Sequence, residues 1–236
     1  MTAPTPDQLR RRITALASYA IMDTPPERQF DDLARVASVL CQTPIALISL
    51  LDDSRQWFKA RIGLEATETP IEDAFCAYAI EGTEVMVVPD AEKDPRFSTN
   101  PLVLGGPRIR FYAGAPLITS EGVALGALCA IDRRPRELAL ELRDGLGALA
   151  RQAVNLLQLR RSARLLHDAL IECEEARGEA QKLRLLLPIC SICRKVRTDP
   201  EYWQSIEEYL RSAEGIAHSH GICPECEART LGDLGR

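Results

Sequence analysis

Four cysteines near the C-terminal end fall into two C-x-x-C pairs, Cys190/Cys193 and Cys223/Cys226, and this spacing is the strongest chemical signal in the chain. A C-x-x-C turn lets two thiolates reach one ion, and two such turns supply the four sulfur ligands of tetrahedral zinc. Four cysteines also suit an iron–sulfur cluster, and a C-x-x-C dithiol can work as a redox switch. Neither pair is followed by histidine, so covalently attached haem is not expected. His220 precedes Cys223 and is a spare ligand or a hydrogen-bond donor behind the ligands. Between the pairs, the run from Asp199 to Leu210 places Trp203, Ile206 and Leu210 on one predicted helical face, with Tyr202 and Tyr209 beside it. So short a module has little core, and bound metal would supply folding free energy.

The other four of the eight cysteines, Cys41, Cys76, Cys129 and Cys173, are scattered through apolar or amphipathic surroundings. Such cysteines are expected to pack as small buried hydrophobes. A second chemical signal is Leu165-Leu166-His167-Asp168, a His-acid pair on a long helical stretch like that of histidine-kinase dimerisation helices. It offers an imidazole for phosphoryl transfer in trans, or simply a solvated side chain.

The elements that position these groups follow from periodicity and turn residues. Leu9, Ile13 and Leu16 share one face of a first helix that ends before Pro25-Pro26. Thr24-Pro25-Pro26-Glu27 reads as a capping box opening a second helix, with Phe30, Leu33, Ala34, Ala37, Leu40 and Cys41 at helical spacing as far as Pro44. The runs IALISLL and WFKARIG, separated by Asp52-Asp53-Ser54, predict a β-hairpin. Thr69-Pro70-Ile71-Glu72 repeats the capping-box pattern before a short helix through Phe75 and Ile80. Val85 to Val88 reads as a strand and residues 89–107 as irregular. RIRFYAGAPLI and VALGALCAI then form a second hairpin across Ser120-Glu121-Gly122. Hairpins with helices before, between and after predict an α+β domain on an antiparallel sheet.

From Pro135 to Leu187 there is no further proline, and Leu156, Leu159, Ala163, Leu166, Leu170 and Cys173 recur at 3/4 spacing. This seam is too long for one small domain to cover, so a parallel homodimer through a short coiled coil is expected, the alternative being a helix that folds back on its own domain. The organisation is therefore a sensory domain over 1–134, a long helix over 135–187 and a four-cysteine module over 188–236. The net charge of -5 argues against a nucleic-acid partner. No apolar run approaches the ~20 residues that cross a membrane, and the N-terminal segment has no secretory pattern, so a cytoplasmic location is expected.

Residues 1 to about 160 resemble the GAF domains at the front of bacterial signalling proteins. The matching stretches, in order, are AIMDTPPERQFDDL, PIALISLLDDSRQWFKARIGL, AFCAYAI, VPDAEKDPRFSTNPLV, IRFYAGAPL and ALGALCAIDRRPREL. The resemblance implies a receiving module with a small-molecule pocket between the sheet and its middle helices and loops, and a protein partner downstream. In relatives the following helix leads to a kinase or cyclase; here the remaining chain is short and has no Gly-rich nucleotide loop. The cysteine tail is similar to one appended to some bacterial sensor proteins.

No histidine precedes His167, so haem held by a pocket histidine is excluded and a Cys-His bilin site is not supported. The pattern of cyclic-nucleotide-binding GAF domains is also missing. The ligand-contacting candidates are Trp57, Lys59, Cys76, Arg96, Asn100, Arg110, Tyr112 and Cys129. Arg110 and Tyr112 share a strand face, and a guanidinium there suits an anionic ligand. Each also has a purely structural reading: Trp57 and Tyr112 as core, and Arg96 paired with Asp90 or Asp94. The sequence points to a sensor receiving a small-molecule or redox signal and not to an enzyme. The rival readings are a reductase of the free-methionine-sulfoxide type acting through pocket cysteines, or a kinase-like fragment phosphorylated at His167.

Overall fold

The computed structural model describes residues 5–184, 188–199, 202–213 and 221–226. The chain divides into two units, Met1–Asp168 and Ala169–Arg236.

The first unit is built on a six-stranded sheet of β1 (Ile45–Leu51), β2 (Arg55–Ile62), β3 (Glu68–Pro70), β4 (Met86–Val88), β5 (Phe111–Ile118) and β6 (Ala124–Asp132), in the order β3-β2-β1-β6-β5-β4. Every neighbouring pair is antiparallel. Both expected hairpins form, and β1 joins them by pairing with β6 at the centre. β1 is buried along its whole length, as a continuous apolar run requires when both faces are covered.

One face of the sheet carries Ile48 and Leu50 of β1, Phe111, Ala113 and Leu117 of β5, and Leu125, Leu128 and Ala130 of β6. Against it pack α1 (Pro6–Tyr19), α2 (Arg28–Cys41) and the first half of α5 (Leu140–Arg184). α2 contributes Phe30, Ala34, Ala37 and Cys41, and α5 contributes Leu146, Ala150, Ala153 and Leu157. The opposite face carries Leu47, Tyr112, Ala127, Cys129 and Ile131 beneath Phe75, Cys76 and Ala79 of α3 (Phe75–Ala79) and Val103 of α4 (Pro101–Leu104).

Three local expectations are corrected. Thr24 caps nothing: its hydroxyl donates to the Ile21 carbonyl, and α2 begins after Glu27 without a side-chain cap. The Glu27 carboxylate is taken instead by Lys59 and Arg160. A capping box does form at the start of α1, where the Thr5 hydroxyl and the Gln8 side chain each accept from the other's backbone N–H. The second expected box, at Thr69, is occupied by the edge strand β3 followed by a 3-10 turn over Ile71–Asp73. The stretch read as irregular contains α4, whose N-terminal amide on Leu102 is capped by Asn100.

Past Leu157, α5 changes what it offers. The domain-facing stripe continues as arginines: Arg160 donates to the Tyr19 and Ala20 carbonyls and Arg164 to that of Ser18. These carbonyls end α1, where a helix leaves its last C=O groups without internal partners, and cations there are favourable. The seam on the adjacent stripe is uncovered, with Leu159 65%, Leu166 63% and Leu170 54% exposed.

In the second unit, β7 (Val196–Asp199) and β8 (Tyr202–Gln204) form an antiparallel ribbon and α6 (Ile206–Ala213) follows. Trp203 therefore lies on a strand, correcting its expected place on a helical face; the Arg197 guanidinium stands 5.8 Å from its ring centroid. The Ser205 hydroxyl accepts from Glu208 N–H at the start of α6, which sets the helix boundary after Trp203. Among the described tail residues, Val196 is the one fully buried apolar side chain.

Candidate functional site

On the α3/α4 face lies a cavity of about 470 Å³. Its floor is Ile45 and Leu47 of β1, Phe58 of β2, Tyr112 of β5, and Cys129 and Ile131 of β6; Phe75, Cys76, Leu102, Pro107 and Ile109 close the other side. Gln56 and Thr69, opposite each other on β2 and β3, supply polar groups. Glu65 and Arg133, both exposed, also line it. Gln56 Oε1 and Thr69 Oγ1 are buried and have no hydrogen-bond partner. An unmatched buried acceptor costs on the order of 1–3 kcal/mol, and a ligand donor would remove that cost.

At the floor, four side chains converge. Ser49 Oγ lies 3.1 Å and Tyr112 Oη 3.2 Å from Cys76 Sγ, and the Cys129 and Cys76 sulfurs are 4.0 Å apart. All four residues are buried. Tyr112 reaches Cys76 because its ring lies over Gly114; a Cβ at that position would stand 2.2 Å from the hydroxyl. Burial by itself raises the Cys76 thiol, but hydrogen bonds with Cys129, Ser49 and Tyr112 outweigh it and hold the thiol below its ordinary value. The contact with Cys76, together with burial, holds Cys129 well above its own. Cys41, on the helical face, is pushed up to about 11 by burial.

Of the eight ligand candidates, Cys76, Tyr112 and Cys129 line the cavity, and the other five do not. Trp57 packs in the core on the helical side. Lys59 sits at a bulge in the β1–β2 pairing, and its ammonium is buried on the helical side, donating to Thr24 Oγ1, the Pro25 carbonyl and Glu27 at 2.9, 2.8 and 2.6 Å. Arg96 is clamped by both oxygens of Asp94, at 2.9 and 2.6 Å. Asn100 caps α4 and donates to the Asp73 carbonyl. The Arg110 guanidinium, expected to meet an anion, pairs with Glu92 and donates to the Val103 and Ile109 carbonyls. Gln56 and Thr69 were not among the candidates. Gln56 stands two residues before Phe58 on the same strand, and that spacing is the signal that marks it.

In the tail each C-x-x-C pair is drawn together. Backbone N–H groups of Cys193 and Ile192, then the Cys193 side chain, hold the Cys190 thiol below its ordinary value; Cys226 and Glu225 do the same for Cys223. Arg194, at φ 60, turns the chain back so that its N–H meets the Cys190 carbonyl while Cys190 N–H meets that of Lys195. Amide-cradled sulfurs of this kind fit thiolate–metal bonding in each half-site. Among the described residues, which include all four of these cysteines, no group of three or more His, Cys, Asp or Glu side chains is placed to hold a metal ion. His220 lies outside the described residues. His167 is exposed on α5.

The GAF domain family profile matches residues 25–157, more than half of the chain, and the chain belongs to that family. A cyclic di-GMP phosphodiesterase of Pseudomonas aeruginosa is 51% identical over 135 residues, which are 57% of this chain and 23% of that protein. The chain thus spans about a quarter of the length of the curated relative it matches. This match corrects the expectation that the chain stands apart from enzymes, since the protein sharing its domain is named as one. Among solved structures, the GAF domain of an Acinetobacter phosphoenolpyruvate-protein phosphotransferase is 17% identical with a TM-score of 0.50, covering 69% of this chain and 97% of that one. It shares the fold. A free methionine-R-sulfoxide reductase from Neisseria meningitidis is 19% identical with a TM-score of 0.49, covering 69% and 96%. No helix among the described residues is long and apolar enough to cross a membrane.

Proposed function

We propose that this chain is a sensory GAF protein of cyclic di-GMP signalling, whose domain binds a small, largely apolar ligand in the α3/α4-face cavity. The observation that carries the reading is the pair of partnerless buried acceptors, Gln56 Oε1 and Thr69 Oγ1, beside a mostly apolar cavity. The link to cyclic di-GMP rests on the Pseudomonas relative. The ligand carries an N–H or O–H donor for these acceptors and an apolar body for the floor. The output runs through a homodimer on the Leu159–Leu166–Leu170 seam, whose exposure supports burial against a second copy. Cys190, Cys193, Cys223 and Cys226 would hold one zinc ion, which supplies folding free energy to a tail whose described residues bury a single apolar side chain, Val196, and shapes a surface for a protein partner.

Native mass spectrometry of freshly purified protein, with elemental analysis, tests the three parts together. The expected result is a dimer with one zinc per chain and a retained small molecule that Gln56→Leu loses. A monomer without zinc, and with identical small-molecule content in both proteins, would sink the reading. Cellular cyclic di-GMP, measured after expressing wild-type and Gln56→Leu protein, should differ between the two.

A further inference from the structure

The chemistry at the cavity floor does not depend on whether the cavity receives a ligand. Two thiols from different elements, Cys76 near the start of α3 and Cys129 on β6, lie 4.0 Å apart. Both line the cavity, which gives a small oxidant a route to them. Two hydroxyls, that of Tyr112 and that of Ser49, which also lies 3.1 Å from the Ala127 carbonyl, are within hydrogen-bond distance of the Cys76 sulfur, whereas the neighbour of the Cys129 sulfur besides Cys76 is the Leu47 carbonyl at 3.7 Å. The pair is therefore unequal: one sulfur stands where a thiolate would be stabilised, the other faces a carbonyl acceptor for its proton.

We propose that Cys76 and Cys129 form a peroxide-reactive dithiol, in which Cys76 is the attacking sulfur and Cys129 the resolving one. The Cys76 sulfur attacks one oxygen of hydrogen peroxide. The S–O bond forms as the O–O bond breaks, and the departing hydroxide combines with the proton from the Cys76 thiol to give water. Cys76 is now a sulfenic acid. The Cys129 sulfur then attacks the Cys76 sulfur; the S–S bond forms, the S–O bond breaks, and the leaving hydroxide takes the Cys129 proton as a second water. Two thiols have lost two electrons and two protons, and one peroxide has become two waters.

The sulfurs must approach from 4.0 Å to about 2 Å for the bond to close. Rotation of the two side chains and a small displacement of α3 toward β6 supply that approach. α3 is a wall of the cavity, so the oxidised state has a differently shaped cavity. The low pKa direction at Cys76 and the high one at Cys129 agree with the assigned order of attack.

The test is made on the full chain, with hydrogen peroxide as the probe. Protein is exposed to a few-fold excess, blocked with N-ethylmaleimide, and digested without reduction for peptide mass spectrometry. The expected product is a cross-linked peptide pair joining Cys76 to Cys129, reversed by dithiothreitol, while Cys41 remains a thiol in the same sample. In Cys129→Ala the intermediate has no resolving partner, so dimedone should label Cys76. Tyr112→Phe removes one hydroxyl with the ring retained, and disulfide formation should slow at least several-fold with the circular dichroism spectrum unchanged. The tail cysteines report on separate peptides and leave the result unaffected. The proposal is overturned if Cys76 and Cys129 oxidise no faster than Cys41, or if Cys76 is found joined only to cysteines other than Cys129. An unchanged rate in a folded Tyr112→Phe protein would overturn the assignment of Cys76 as the attacking sulfur.

Discussion

The two faces of the central sheet are made by alternate residues of the same strands, yet they are finished differently. The helical face is closed by α1, α2 and α5, and its side chains form one apolar cluster from Leu16 to Leu157. Most of its polar groups are matched, with three oxygen partners for Lys59 and a Tyr19 hydroxyl that donates to Gln158, although Arg12 Nε and Arg164 Nε are buried without a partner. The other face is covered by short helices and loops that leave a cavity, and it retains acceptors without partners and a cluster of thiols and hydroxyls. One face specifies and stabilises the domain, and the other is left incomplete in a way that chemistry can use.

The largest test of this contrast compares two phenylalanines. Phe30→Ala, in the closed face, should cost about 4 kcal/mol by urea denaturation, as expected for a large core truncation. Phe58→Ala, which already borders the cavity, should cost roughly half of that, because fewer packing contacts are lost. Equal costs would erase the distinction between the faces.

Next comes the buried ion pair. The Lys59 side chain is fully buried against Glu27, so Lys59→Met should destabilise by roughly 2 kcal/mol, with Arg160 left to compensate Glu27. Although burial raises the Glu27 carboxyl, Lys59 and then Arg160 outweigh it and hold it below its ordinary 4.5. A group with a depressed folded-state pKa contributes stability that is present above its unfolded value and lost as pH falls through the folded one. Stability should therefore fall with acid below about pH 4.5, and the Lys59→Met protein should show a shallower loss over the same range.

The smallest effect has the opposite sign. Gln56→Leu removes a partnerless buried acceptor and should leave the ligand-stripped domain unchanged or more stable by up to about 1 kcal/mol, while abolishing ligand retention. A loss of stability would show that the Gln56 amide belongs to the fold and not to the site.

Much of this architecture was legible from alternation and punctuation. IALISLL and WFKARIG flank Asp-Asp-Ser, and the structure pairs them; the second hairpin follows the same logic. The meeting of β1 with β6 was not legible, because strand order is decided by packing far along the chain. Thr24 and Thr69 each carry the local pattern of a capping box, but tertiary demands took both: Glu27 was claimed by Lys59, and Thr69 by strand pairing with Gln56. Tyr112 lines the cavity, whereas Arg110, set by period-two alternation on the same strand face, is held by Glu92 instead. The bulge where Ser49 meets Phe58 puts Lys59 on the helical face beside Ala60, and no local residue pattern announces a bulge. Gln56 and Thr69 read locally as solvent contacts, as polar side chains near a sheet edge ordinarily do, and only the two-residue spacing of Gln56 from Phe58 marks it otherwise.

The arginines that meet the end of α1 bear on where this domain stops. The family match covers 25–157, whereas Ser18, Tyr19 and Ala20 lie before it and Arg160 and Arg164 lie after it. The two flanks are thus a clasp whose halves come from opposite ends of the domain sequence. A protein cut at the family limits would keep every strand and the whole cavity, yet lose both halves of the fastening that ties the first helix to the last. The compact unit is wider than the family outline, and studies of binding in the isolated domain should retain residues 5–168.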